Sequence, residues 1–355
     1  MTERIRVIQY GVGAMGRNMV RLLQSKPDVQ IVAAIDHDEA IIGRDIGDVA
    51  ELGRRLGIAV QFPPEKVLDT VRADVVLQAT TAFIDEAFPQ IMEALNKKIN
   101  IVTIAQELFF PLGENVKKAK EINKKALDMG VSITAVGINP GFAMDIVPIV
   151  CSLPCWEIER VSVDRVVDFS PYGPDEMRHI GAGLSHQEFL KGAKEGTIGH
   201  IGLLETAAMV AYCLGLTIDE LKQKKEPLIT RRGRKSEFVN INPGRVCGFK
   251  QMVVGLREGE EVLSFKMMGI ISPDREEDGV ELGDHAHIHG KPSVDITIKE
   301  EIAQRGGLGT AGVAVNMIPR VMNAPPGFHT MNTLILPHIW TGGPQPEPVK
   351  RIIRF

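Results

Sequence analysis

Arg4-Ile5-Arg6-Val7-Ile8-Gln9-Tyr10-Gly11-Val12-Gly13-Ala14-Met15-Gly16 opens the chain and decides how the rest is read. Ile5, Val7 and Ile8 make a short β-run that breaks directly into Gly11-x-Gly13-x-x-Gly16. Met15, Met19, Leu22 and Leu23 then recur at helical spacing. Strand, glycine turn and helix are the first turn of a dinucleotide-binding unit. Gly11 allows the tight turn, Gly13 lets backbone approach a pyrophosphate, and Gly16 lets the helix pack close to the strand. The helix N-terminus adds unpaired N–H groups and a partial positive charge. Gly11, Val12, Gly13, Ala14, Met15 and Gly16 are therefore the expected cofactor contacts.

With 35 glycines, one such triplet needs context, and the next segment supplies it. A second β-run, Val29-Gln30-Ile31-Val32-Ala33-Ala34-Ile35, ends in Asp36, where an acidic side chain meets the adenosine ribose hydroxyls. A carboxylate there repels a 2′-phosphate, so Asp36 favours NAD. His37 and Arg44 lie close enough in sequence to soften that, which leaves NADP open.

A chain of 355 residues exceeds most single domains, so two domains are expected. Hydrophobic residues at 44% and charged residues at 24% are ordinary for a globular protein. A formal net charge of -4 gives no electrostatic reason to expect nucleic acid or an anionic membrane as partner. No apolar run is long enough to span a bilayer, and the N-terminus lacks a signal-peptide core. The four cysteines suggest a reducing compartment, hence the cytoplasm. Cys151 and Cys155 are read as small core residues.

Further along, Ile58–Phe62 reads as a third strand, Asp74–Thr80 as a fourth, Asn100–Ala105 as a fifth and Val131–Gly137 as a sixth. A helix with Phe88, Ile91, Met92 and Leu95 on one stripe and a lysine-rich helix around 113–129 lie between them. The alternation predicts an α/β, N-terminal Rossmann domain, a doubly wound parallel sheet over residues 1–140. Ligands then bind beyond the C-terminal strand ends, which selects the glycine loop, Thr80–Phe83, Gln106–Phe109 and Gly137–Phe142.

Residues 141–308 read as an α+β substrate and dimerisation domain with a mainly antiparallel sheet. Its expected strands include Glu157–Asp168, Arg245–Leu256, Val262–Ile271, Asp284–His289 and Ser293–Lys299. Ser185 to Glu188 and Thr217 to Glu220 both fit a capping box opening a helix. His200–Leu214 reads as an apolar helix. Residues 309–340 carry a last helix, Gly309–Asn323 with Thr310 near its cap and an interruption at Pro319, returning to the nucleotide domain. Residues 341–355 read as a loosely ordered tail.

Glu107 is the strongest candidate for chemistry. It lies just past the fifth strand among Ile104, Ala105, Leu108, Phe109 and Phe110, an apolar setting that suits a general base. The Asn139 amide, in Asn139-Pro140-Gly141, orients either the nicotinamide carboxamide or the substrate. The same residues also fit a helix start, with Asn139 as cap and Pro140 in the first turn. Arg165 is read either as a clamp on a substrate carboxylate or as an exposed strand charge. Tyr172 and His179 sit in a Gly/Pro-rich loop (Ser170-Pro171-Tyr172-Gly173-Pro174) long enough to act as a lid. His285, His287 and His289 fall on one strand face. No zinc spacing accompanies them, so no metal is expected, and one imidazole bonding substrate is the preferred role.

Together Tyr10–Gly16, Ala105-Gln106-Glu107, Gly137–Phe142, Gly199-His200-Ile201-Gly202-Leu203 and His285–Gly290 resemble the 2,4-diaminopentanoate dehydrogenase family over nearly the whole chain. That group includes native amine dehydrogenases and is similar in fold to dihydrodipicolinate reductase, whose His-His-x-x-Lys stretch is lacking here. The resemblance implies a homodimer and NAD(P)-dependent deamination of 2,4-diaminopentanoate at C4, with ammonia released, in ornithine breakdown. It implies a nicotinamide near Thr80, Glu107 and Asn139, with Glu107 the candidate base. A substrate with two amines and one carboxylate also needs recognition away from the reacting carbon, for which Asn139, Arg165, Tyr172 and His287 are the candidates. A dehydrogenase of other amines and a non-catalytic NAD(H) sensor are the competing expectations.

Overall fold

The computed structural model describes residues 4–299, 307–335 and 352–354. Two compact units divide them, residues 4–141 with 307–335 and residues 142–299 with 352–354.

The first unit is built on β1 (Ile5–Tyr10), β2 (Val29–Ile35), β3 (Val60–Gln61), β4 (Val75–Gln78), β5 (Asn100–Thr103) and β6 (Ser132–Ala135). All pair in parallel, in the order β6-β5-β4-β1-β2-β3, and Gly327–His329 adds a seventh strand beside β6. The order reverses at β1 and β4, which marks the crevice where such sheets take ligands. All four residues of β4 and of β6 are buried, as expected for strands covered on both faces. Helix α1 (Ala14–Leu23) follows β1, α2 (Ile84–Asn96) follows β4 and α3 (Asn115–Met129) follows β5. The buried stripe of α2 is Ile84, Ala87, Ile91, Ala94 and Leu95, with Phe88 and Met92 half-buried at its border.

Sequence reasoning missed the seventh strand, which has three residues and little β-signal. It is fastened by long-range bonds, the Ser132 hydroxyl donating to Pro325 O (2.8 Å) and the Thr134 hydroxyl to His329 O (2.8 Å). The helix before it runs from Leu308 to Met322 with Gly307 as N-cap, and it passes through Pro319. Thr310 does not cap it. Packing of Ala311, Ala314, Val315, Ile318 and Val321 offsets the bond that proline removes.

The second unit carries β7 (Glu157–Asp168), β8 (Glu220–Ile229), β9 (Val246–Arg257), β10 (Glu260–Ile270), β11 (Gly283–Lys291) and β12 (Val294–Lys299), in the order β12-β11-β7-β10-β9-β8. β7 and β10 are parallel, and the other pairs among these six are antiparallel. Ile352–Arg354 adds a short parallel strand at the β8 edge. So part of the expected tail is sheet; residues 341–351 lie outside the described residues.

Helix α4 (His186–Glu195) packs on β8, and α5 (Leu203–Cys213) packs on β9 and β10. Ser185 and Glu188 form the expected capping box at the start of α4. Thr217 to Glu220 opens no helix, because Glu220 begins β8 and pairs with Leu256. Cross-strand pairing along the whole of β8 outweighs the local signal. In α5 every residue but Tyr212 is buried, which fits its apolar circumference.

Candidate active site

In the first unit the glycine loop separates into structural and open positions. Gly11 has φ +91°, and a Cβ there would lie 2.3 Å from Ala79 O. One at Gly16 would lie 2.0 Å from Gly11 O. A Cβ at Gly13 meets nothing within 4 Å. Gly13 is the N-cap of α1, with no side-chain cap, and Gly13 and Ala14 are exposed there. Open backbone at an uncapped helix N-terminus fits a dinucleotide pyrophosphate.

Asp36 fits the ribose. It is nearly buried, its Oδ2 accepting from Val12 N (2.6 Å) and its Oδ1 from Asp38 N (3.0 Å). Two backbone donors fix the carboxylate and leave lone pairs for ribose hydroxyls. His37 is largely exposed, its Nδ1 3.7 Å from Asp36 Oδ1. At the end of β4, Thr80 Oγ1 and Gln78 Nε2 both donate to Gln90 Oε1 (2.7 and 2.6 Å), which ties the strand end to α2.

Glu107 lies in a single turn of 3₁₀ helix, Gln106–Leu108, beyond β5. Its amide donates to Ala82 O (3.1 Å), and its Oε2 accepts from Ile84 N (3.0 Å), the first residue of α2. The side chain is half-buried rather than enclosed in a dry pocket. The helix N-terminus seats a negative charge there. Among the described residues Oε1 takes no partner, which leaves one oxygen to accept a proton.

Asn139 is buried in the turn after β6. Gly141 has φ +134°, and a Cβ on it would lie 2.3 Å from Gly137 N and O, so the turn is closely folded. No helix starts at Pro140. The next one, Ile146–Cys151, is capped by the Asp145 side chain.

In the second unit strand register gathers polar residues that sequence spacing keeps apart. Asp284 pairs with Arg165, Arg165 with Met267, Met267 with Gln251, and Gln251 with Lys225. These five form one row across the face that carries the buried valines Val161, Val163 and Val167. Arg165 is 2% exposed, which removes the surface-charge reading, and its Nη1 donates to Asp284 Oδ1 at 2.5 Å. Burial pushes the Asp284 carboxyl up from its ordinary range, with the Arg165 charge opposing.

Tyr172 stands near this pair. Burial raises its phenol and the Arg165 charge opposes the rise. Its ring stacks on Phe169 (4.8 Å), which meets Phe249 edge-on (6.1 Å). The Ser170 hydroxyl accepts from Ser272 N (2.7 Å), so the expected lid loop is tied at its base.

Gln251 and Lys225, neither marked by sequence, hold the main chain at Ile198 and His200, where the Gly199–Leu203 stretch begins. Gln251 Oε1 accepts from His200 N (2.8 Å), its Nε2 donates to His200 O (3.0 Å), and Lys225 Nζ donates to Ile198 O (2.6 Å). Gly199 N donates to His179 O (2.8 Å), which joins this stretch to the segment that follows the lid.

His287 does not join Arg165 and Tyr172, a correction to the sequence expectation. Strand alternation puts Asp284, Ala286 and Ile288 on the Arg165 face and His285, His287 and His289 on the other. There His287 Nδ1 contacts Asp295 Oδ1, His285 Nδ1 faces the Thr297 hydroxyl (3.3 Å), and Arg160 donates to His289 Nε2 (3.0 Å). Each ring has its own partner, and among the described residues no group of three or more His, Cys, Asp or Glu is placed to hold a metal.

Residues 142–347 match the family described as 2,4-diaminopentanoate dehydrogenase C-terminal domain, and residues 5–105 match the dihydrodipicolinate reductase N-terminus. The chain is 36% identical over 344 residues to the 2,4-diaminopentanoate dehydrogenase of Acetoanaerobium sticklandii, covering 96% of each chain. The amine dehydrogenase of Mycobacterium smegmatis superposes with a TM-score of 0.83 at 25% identity, covering 96% of this chain and 98% of that one. GenD2 from gentamicin A biosynthesis, solved with NAD, shares the fold at a TM-score of 0.57 and 15% identity, covering 94% of this chain and 91% of that one. With a dinucleotide-type sheet, a carboxylate beyond β5 and a relative matched almost end to end, this chain belongs to the 2,4-diaminopentanoate dehydrogenase family.

Proposed function

We propose that this enzyme oxidatively deaminates 2,4-diaminopentanoate at C4, giving 2-amino-4-oxopentanoate and ammonia with reduction of NAD. The observation that carries the reading is Glu107, one oxygen fixed by the Ile84 amide and the other unpartnered among the described residues. Gly11, Val12, Gly13, Ala14, Met15 and Gly16 hold the cofactor pyrophosphate, and Asp36 and His37 border its ribose. Thr80, Asn139 and Pro140 border the nicotinamide. Asp36, fixed by two backbone amides, supports NAD over NADP.

Glu107 accepts the proton of the C4 ammonium at Oε1, which frees the nitrogen lone pair. When bound, the nicotinamide supplies the acceptor for the C4 hydride. After Glu107 has released its first proton to solvent, it takes one from the water that adds to the resulting C4 iminium and returns it to the nitrogen; the carbon–nitrogen bond then breaks as the new hydroxyl gives its proton to Glu107, and ammonia leaves with the C4 ketone formed. Arg165 takes the substrate carboxylate, and Tyr172 and Asn139 border the substrate.

A homodimer built on the half-buried, histidine-bearing face of the second sheet belongs to the same reading, in line with the family resemblance. Four free thiols support a reducing, cytoplasmic setting, and ornithine breakdown is the matching pathway. The test is the absorbance of reduced nicotinamide on mixing protein, NAD and a panel of diamino acids. Signal with 2,4-diaminopentanoate is expected, and its absence overturns the assignment.

A further inference from the structure

Arg165 and Asp284 make a buried pair that is under-used. Of the five guanidinium N–H groups, one donates to Asp284 Oδ1; the others meet no protein acceptor among the described residues. Asp284 Oδ2 likewise takes no donor there. Both residues are almost fully buried, at 2% and 3% exposure, where unused charged groups are costly. Their row neighbour Met267 is apolar, and Gln251 is engaged with the His200 main chain, so the row offers the pair nothing more.

A monodentate contact leaves a free edge on each partner, the guanidinium edge positive and the carboxylate edge negative. An α-amino-acid head group carries the matching charges one carbon apart, a carboxylate and an ammonium. Seated against the pair, it brings no net charge into the interior and satisfies both free edges. A plain carboxylate satisfies Arg165 alone and sets a second anion near Asp284. Burial has already raised the Asp284 carboxyl, as expected of an anion short of partners.

We propose that Asp284 binds the C2 ammonium of the substrate, so that the Arg165–Asp284 pair selects 2,4-diamino acids over 4-amino acids that lack the second amine. The proposal rests on the deamination reading above for its substrate class. The test is calorimetric titration of 2,4-diaminopentanoate and 4-aminopentanoate into wild type and Asp284→Asn, with turnover of both measured alongside. Wild type should bind the diamino acid on the order of 10- to 100-fold more tightly, as sites built to pair a polar group discriminate against its absence. In Asp284→Asn that ratio should fall to about twofold or less, and in turnover the change should appear in KM rather than kcat.

Equal binding of the two compounds by wild type overturns the proposal without any variant. An equal proportional loss for both compounds in Asp284→Asn also overturns it, and leaves Asp284 as a support for Arg165. Should wild type bind with the stated preference but oxidise neither compound, the head-group receptor stands and the deamination reading falls.

Discussion

The two seven-stranded sheets handle polar residues in opposite ways. In the first unit β4 and β6 are buried throughout, and the candidate groups Thr80, Glu107 and Asn139 appear only past strand ends, in turns. In the second, Arg165, Gln251 and Asp284 project from the strands themselves, on the covered face. A parallel sheet covered on both sides places chemistry in its loops, where a local motif announces it. A sheet with one covered face places it in a row set by register, which no single stretch of sequence contains.

The largest effect that sharpens this contrast is on the second sheet. Arg165→Ala strands the Asp284 carboxylate in the interior and should cost about 3–5 kcal/mol by denaturant unfolding. A loss below about 1 kcal/mol would mean that the pair is solvated.

The glycine loop should split in the first unit. Gly16→Ala forces a Cβ against Gly11 O and should cost about 1–3 kcal/mol. Gly13→Ala meets open space, so unfolding should change little while NAD binding weakens. Equal effects on stability would break the division between packing and ligand positions.

Asp45, the buried N-cap of the short helix Ile46–Val49, gives a pH test in the first unit. Burial alone would raise this carboxyl, but the backbone amides of Leu56, Gly47, Gly57 and Ile58 together hold it below its ordinary range. Its contribution is therefore full above the unfolded carboxylate value and lost as pH falls through the lowered folded one. Asp45→Asn should cost about 1–3 kcal/mol near neutrality, with the gap to wild type closing below about pH 4. A gap independent of pH would show that charge at Asp45 does not matter.

The smallest effect belongs to the histidine face. His287→Ala, on the side away from Arg165, should leave kcat/KM for the diamino acid within about twofold. A larger loss would place substrate on that side of the sheet.

Much of this was legible in advance. The first strand, the glycine turn and Asp36 follow from short-range sterics and charge, so their sequence signature is local. The phase of β7 and β11 is also legible in principle: Arg165 falls on the same face as Val161, Val163 and Val167, and Asp284 on the same face as Ala286 and Ile288. A charge in the apolar phase of a strand implies a buried partner, which favours the clamp role of Arg165 over an exposed strand charge. What sequence did not contain was the register that sets Gln251 and Lys225 on the same row, or the three-residue strand at Gly327–His329. Thr217 to Glu220 misled because a helix-start signature is local while β8 is decided by its partner strand.

Glu107→Gln tests the proposed proton acceptor most directly. The isosteric amide can keep its acceptor toward Ile84 N while losing the base, so NAD binding should hold. The rate of nicotinamide reduction with 2,4-diaminopentanoate should fall about 10²- to 10⁴-fold. A Gln variant that deaminates at the wild-type rate would contradict the account.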